Sequence, residues 1–218
     1  MIEYVVPRNI DDRILRRAAH ILEDGGLAAI PTDTSWSVVC SMESREGLKR
    51  LRGLSGARDE GHFTLICAGL SQVSEFCAIG NRCFRQIKRL SPGPYAFLLR
   101  TLPGTEKALG LKRAEIALRL PDHPVPAALV AALGRPLYGI TAKRSMAAAW
   151  QDDAAIDDEI ASDNVADLFD GGWELEAIPA ITLILDPGEE RERLFSTILD
   201  LRDGEPALVR EGAGPWPV

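Results

Sequence analysis

Gly26-Leu27-Ala28-Ala29-Ile30-Pro31-Thr32-Asp33-Thr34 is the stretch on which the fold turns. Its apolar run is too short for a free-standing helix and closes on two hydroxyls and a carboxylate, as a buried strand with a polar C-terminal end does. A counterpart lies far along the chain, where Ser196-Thr197-Ile198-Leu199-Asp200-Leu201 leads on to Arg210-Glu211-Gly212-Ala213-Gly214. Strand ends in α/β proteins are where side chains and backbone amides converge on ligands. Two such ends with complementary chemistry predict one polar site built from both halves of the chain.

Outward from that strand the elements alternate. Ile14, Leu15, Ala18, Ala19, Ile21 and Leu22 recur at helical spacing and stop at Gly25-Gly26. Ser35 to Cys40 reads as extended, Arg45 to Leu54 as a helix with Leu48, Leu51 and Leu54 three apart, and Phe63 to Ala68 as a strand. Helices are expected over 71–77 and 81–90, before Pro92-Gly93-Pro94 turns the chain into a strand from Tyr95 to Leu99. Ile116 to Leu120 and Leu137 to Thr141 are strands that flank a proline-started helix, Pro124 to Leu133. The acidic stretch from 150 to 175 reads as one amphipathic helix closing at Gly171-Gly172. Three strands follow, at Ile181–Leu185, Phe195–Leu201 and Ala207–Arg210, the last two joined by a hairpin signal at Asp203-Gly204. Such alternation predicts an α/β fold, a mixed sheet with helices on its faces, in one domain over 1–218.

Composition excludes several classes. At 218 residues with 46% apolar and 26% charged side chains, the chain is long enough for a full core. Its longest apolar stretch, Pro124 to Leu133, is about half of the ~20 residues a membrane span needs. The start, Met1 to Arg8, has no basic lead-in and apolar run of a secretory signal, so a cytoplasmic protein with no membrane partner is expected. Cys40, Cys67, Cys77 and Cys83 form no C-x-x-C pair, and His20, His62 and His123 are scattered; buried thiols and no metal are the expectation. The net charge of −7 is local, because residues 151 to 180 hold ten acids and no Lys or Arg, and the remainder carries 25 bases against 22 acids. Arg45, Lys49, Arg50, Arg52 and Arg58 form one basic stretch, and Arg82, Arg85, Lys88, Arg89 and Arg100 a second. Each reads either as a solvated helix face or as a cationic surface for phosphates.

Three positions carry chemistry. In Pro31-Thr32-Asp33-Thr34 the carboxylate can hold an ammonium and the hydroxyls an anion, although the same residues make ordinary turns. Arg119, inside apolar Ile116 to Leu120, costs several kcal/mol to bury unless it meets an internal carboxylate or faces a ligand. Thr141-Ala142-Lys143-Arg144-Ser145 ends a strand with two hydroxyls and two cations, suited to an anion or to an exposed loop.

Gly26 to Thr34, Ser91-Pro92-Gly93-Pro94, Arg119-Leu120-Pro121-Asp122-His123-Pro124, Gly134-Arg135-Pro136-Leu137, Ser196 to Leu201 and Arg210 to Gly214 together, in this order, resemble the YrdC/YciO-like family over nearly the whole chain. The resemblance implies a twisted, open mixed sheet flanked by helices around a concave basic cavity. YrdC-type members are threonylcarbamoyl-adenylate synthases, nucleotidyltransferases that use L-threonine, bicarbonate and ATP, taken with Mg, on the way to threonylcarbamoyladenosine in tRNA. Binding of tRNA or double-stranded RNA also goes with this fold. No tightly bound cofactor is implied.

By the resemblance, Thr32, Thr34 and Ser196 contact threonine, and Arg119 and Arg210 face the nucleotide and carbamate. Thr141 and Ser145 stand where the family's Ser-Ala-Asn segment touches ATP, with Lys143 in place of the Asn. The family's Lys-x-Arg is reduced at Ser55-Gly56-Ala57-Arg58 to one cation, Arg58, and Ala96 stands where a threonine commonly follows the turn. His62-Phe63-Thr64-Leu65 and the reduced Lys-x-Arg resemble the YciO branch more closely. Three readings follow: a synthase in which Arg58 or Lys143 completes the phosphate contacts, a non-catalytic RNA-binding module using the two basic stretches, and a nucleotide-dependent hydrolase with a changed acceptor.

Overall fold

A computed structural model describes residues 1–55, 63–105, 114–147 and 164–216. In chain order the elements are β1 (Ile2–Tyr4), α1 (Asp12–Glu23), β2 (Ala28–Pro31), β3 (Trp36–Ser41), α2 (Arg45–Ser55), β4 (Thr64–Ile66), α3 (Leu70–Phe76) and α4 (Asn81–Leu90). Then come β5 (Tyr95–Arg100), β6 (Glu115–Arg119), α5 (Pro124–Leu133), β7 (Leu137–Thr141), β8 (Leu183–Asp186), β9 (Thr197–Asp200) and β10 (Ala207–Arg210). The strands make one open mixed sheet in the order β1-β8-β2-β3-β7-β4-β6-β5-β9-β10.

Local chemistry fixes the helix ends. Asp11 caps α1 by accepting from the Arg13 amide at 2.8 Å, and Gly25, at φ 86°, ends it in the left-handed region. Pro124 sits at the first position of α5, where its missing N–H costs nothing, and the His123 ring accepts from the Val125 amide. Alternation along β2 divides the core. Leu27 and Ala29 face the layer formed by Leu48 and Leu51 of α2 and Ile87 and Leu90 of α4, whereas Ala28 and Ile30 face α1 and α5 through Leu22, Leu129 and Val130. Each fully buried Leu or Ile contributes roughly 1.5–3 kcal/mol, so truncating Leu129 to Ala would cost about 2–5 kcal/mol.

The expected strands and helices appear within a few residues of their predicted bounds, and β9 pairs antiparallel with β10 around Asp203-Gly204. Two expectations differ. β1 was not anticipated; it is held by β8, with Ile2 opposite Ile184. The helix expected over 150–175 is not continuous where it is described. Residues 164–177 instead form two 3-10 helices, Val165–Asp167 and Gly172–Ala177, with Leu168 bridging to Lys143 between them. Residues 148–163 lie outside the described residues. The segment is held instead by the rest of the chain: Asp167 binds Ser145, Asp170 binds Arg193, and at Gly172 a Cβ would fall 2.4 Å from Asp186 Oδ2 and 3.0 Å from Trp36.

All four cysteines are buried free thiols. The cations of α2 and α4 point outward, while Leu48, Leu51, Leu54 and Cys83, Ile87, Leu90 point in. Among the described residues no helix is long and apolar enough to cross a membrane.

Candidate functional site

The loop joining β2 to β3 is a turn built on one hydroxyl. Thr32 Oγ1 donates to the Ser35 carbonyl at 2.6 Å and accepts from the amides of Thr34 and Ser35, each at 3.2 Å. That turn buries Thr32 and Thr34 and fixes the direction of Asp33. Arg119, the last residue of β6, reaches it: Nη2 donates to Asp33 Oδ1 at 2.6 Å and to Thr34 Oγ1 at 2.7 Å. Between β2 and β6 the sheet order places three strands, so a flat sheet would hold the two about 19 Å apart. The contact is made by the β2–β3 turn, which carries Asp33 and Thr34, and the Arg119 guanidinium that reaches it.

The pair is only half satisfied. Asp33 Oδ2 and Arg119 Nε are buried with no hydrogen-bond partner among the described residues. Arg119 thus meets the internal carboxylate that one of its two readings called for, and its Nε is left without a hydrogen-bond partner among the described residues. Burial pulls its pKa down, Asp33 opposes that, and the nearby Arg210 lowers it further.

The C-terminal half supplies a second polar cluster. Arg210, at the end of β10, donates to the Ser196 carbonyl through Nε at 3.2 Å and Nη2 at 2.8 Å, and its Nη2 lies 3.4 Å from Ser196 Oγ. Its guanidinium carbon sits 4.9 Å from the Phe195 ring centre, and Lys143 Nζ lies 5.8 Å from the same ring. Gly212 lets the chain pass this close, since a Cβ there would stand 2.4 Å from the Phe195 carbonyl oxygen. The Leu194 amide donates to the Thr34 carbonyl at 3.3 Å, which joins the two segments. The two strand ends singled out in the sequence thus meet.

The other predicted residues have distinct placements. Thr141, half-buried, lies opposite Ser37 at the end of β7. Ser145 gives its hydroxyl to Asp167 Oδ2 at 2.6 Å and its amide to Oδ1 at 2.8 Å, so it anchors the segment that follows residue 163. Arg58 lies outside the described residues. Asp170 of the same segment binds Arg193 and the Trp36 indole, and the Arg144 guanidinium pairs with Asp170 and Glu174.

Three groups were not among the predicted site residues. Asp33 was legible as the carboxylate between two threonines; His123 and Arg191 were not. His123 Nε2 and Arg191 Nη1 are 3.2 Å apart, and both feel the Asp33 charge. Burial, followed by Arg191, pushes His123 down to about 4, against the pull of Asp33. Three guanidiniums thus lie near Asp33: Arg119 pairs with it, Arg191 feels its charge, and Arg210 acts on Arg119.

Comparison with known proteins gives one consistent picture. The Sua5/YciO/YrdC family model, described as telomere recombination, matches residues 20–212. The Escherichia coli (strain K12) protein YciO, itself uncharacterised, is 30% identical over 212 residues, covering 97% of this chain and 95% of that one. Its crystal structure superposes with a TM-score of 0.75 at 26% identity, over 99% and 97% of the two chains. The threonylcarbamoyl-AMP synthase of Halorhodospira halophila is 30% identical over 132 residues, 60% of this chain and 69% of that one. The fold is also that of P. abyssi Sua5 complexed with L-threonine, at TM-score 0.72 and 21% identity, over 97% of this chain and 57% of the longer one.

Proposed function

Because this chain belongs to the Sua5/YciO/YrdC family, which includes threonylcarbamoyl-AMP synthases, we propose that it is an enzyme of that type, condensing L-threonine, bicarbonate and ATP in a basic cavity. The observation that carries this reading is the buried Arg119–Asp33–Thr34 cluster, whose unpartnered Asp33 Oδ2 and Arg119 Nε lie in the region where both strand ends meet. In this reading Asp33 holds the threonine ammonium, and the hydroxyls of Thr34 and Ser196 hold its polar end. The ammonium gives a proton to solvent, the amine attacks the bicarbonate carbon, and the expelled hydroxyl takes a second amine proton and leaves as water, giving a carbamate. A carbamate oxygen then attacks the α-phosphorus of ATP, and pyrophosphate departs with its bonding electron pair. Both stages concentrate negative charge, which fixed cations stabilise.

Lys143 and Arg210, held against Phe195, are our assignment for the phosphate contacts that a full Lys-x-Arg would make. The test is pyrophosphate release by the purified protein given all three substrates, with each omitted in turn and the adenylate detected by mass. Threonine-dependent release that Arg119→Ala or Arg210→Ala abolishes is expected. Release that survives Arg119→Ala would remove the assignment.

A second reading has its own observation. Arg82, Arg85, Lys88 and Arg89 are all exposed on α4, a helix without an acid, and form a cationic surface for tRNA or double-stranded RNA. It predicts binding that weakens steeply with salt, with no turnover; binding unaffected by charge reversal on α4 would exclude it.

A further inference from the structure

We infer that His123 and Arg191 form an oxyanion subsite beside Asp33, a binding element outside the Arg119–Asp33–Thr34 cluster. His123 Nδ1 accepts from the Val125 amide at 3.2 Å, which places the proton of a neutral ring on Nε2. That Nε2–H then faces Arg191 Nη1, a second donor, at 3.2 Å. With the tautomer reversed, Nε2 accepts from Arg191 and the Val125 N–H confronts Nδ1–H instead. Either way a neutral imidazole has one acceptor nitrogen for two N–H neighbours, so one donor goes unsatisfied.

Protonating the ring removes both acceptors and adds a positive charge beside a guanidinium. An oxygen anion lodged between Nε2–H and Nη1–H satisfies both donors and leaves Val125 with its acceptor.

The position of Arg191 is built rather than accidental. Its amide donates to the Asp170 carbonyl at 2.9 Å, and Asp170 is itself gripped by Arg193, so the side chain is launched from a fixed backbone toward His123. Among the described residues Arg191 makes no ion pair; Glu189 and Asp33 act on it only at longer range. A half-buried guanidinium of this kind is suited to phosphate or carboxylate.

The inference deepens the proposed function, resting on it only for which anion arrives: a phosphate oxygen of the nucleotide or the carboxylate of the amino acid. The subsite would add to the cations available in a chain whose Lys-x-Arg is reduced.

The experiment reads binding and needs no turnover. Protein carrying 15N-labelled histidine is titrated with inorganic pyrophosphate and, separately, with L-threonine, and the imidazole resonances are followed. His123 is assigned by comparison with His123→Ser, whose hydroxyl can still cap α5. Movement of the His123 resonances with either ligand, while exposed His20 stays fixed, is expected and names the source of the anion. Arg191→Ala should weaken that ligand by about tenfold or more, as loss of a hydrogen bond to a charged group does. Resonances of His123 that stay put with both ligands, or Arg191→Ala binding as tightly as wild type, would overturn the subsite. The wild-type titration is decisive even if a variant fails to fold. Pyrophosphate release with an unmoved His123 would leave the synthase reading standing and the subsite lost, whereas anion binding at His123 without release would do the reverse.

Discussion

Arg119 and Asp33, 86 residues apart in sequence, meet at 2.6 Å with side chains only 7% and 11% exposed. Removing one member strands the other as a buried charge, and such breakage costs about 3–5 kcal/mol. Arg119→Met and Asp33→Leu should each lower the urea unfolding free energy by this order. The double variant should lose less than the two single losses combined, because neither charge is left behind. Strictly additive losses would mean that the pair is not coupled.

Acid should weaken the fold through His123. Its pKa falls from 6.5 in the unfolded chain to about 4 in the folded one, mainly by burial. Between those values the unfolded chain binds a proton that the native one refuses, so stability declines as pH drops from about 6.5 to about 4 and the decline then levels off. Unfolding midpoints at pH 7 and pH 5 should differ more in wild type than in His123→Asn, which can keep a cap on α5. Equal differences in the two proteins would place the titration elsewhere.

Three thiols should be inert in the native state. Burial pushes Cys40, Cys67 and Cys77 up to about 12, which leaves almost no thiolate at neutral pH. A thiol reagent at pH 7.5 should label none of the three within minutes in buffer and all four cysteines in guanidinium chloride. Rapid native labelling of Cys67 would contradict its placement.

Gly212→Ala should damage both stability and site. The added methyl would press on the Phe195 carbonyl and the Ser196 backbone, which a packed strand cannot yield cheaply. A loss of about 1–3 kcal/mol is expected, with weaker binding of whatever Arg210 holds. Thermal unfolding checks the first part and calorimetric titration with ATP the second; unchanged values in both would show that β9 and the 211–214 segment can separate freely.

Much of this architecture is legible in the residues because punctuation and period agree. Gly25-Gly26 stops α1, Pro124 starts α5, and Leu48, Leu51 and Leu54 mark one helix face. β1 escaped because three residues before Val5-Val6-Pro7 are too few to show alternation; its partner, 182 residues away, is what makes it a strand. The two 3-10 helices after residue 163 were hidden for a similar reason, since Gly171-Gly172 reads as a helix stop while at Gly172 the chain packs against Asp186 and Trp36. In the site, Thr32, Thr34, Arg119, Ser196 and Arg210 stood out as polar groups in apolar company. Arg191 did not, because it lies in the mixed run Glu189-Glu190-Arg191-Glu192-Arg193, where only the fold selects which arginine turns inward.

The sheet order also governs how this protein comes to exist. Its first strand waits for residue 184, and β5 finds β9 only when residue 197 is available. Pairings so distant along the chain slow folding toward the millisecond-to-second range, and they leave strand edges uncovered meanwhile. A nascent chain of this sequence thus carries β1 and β5 without those partners until residues 184–186 and 197–200 have been made. A polypeptide that stopped before β9 would hold the residues of the Arg119–Asp33–Thr34 cluster but lack the Ser196 and Arg210 that face them.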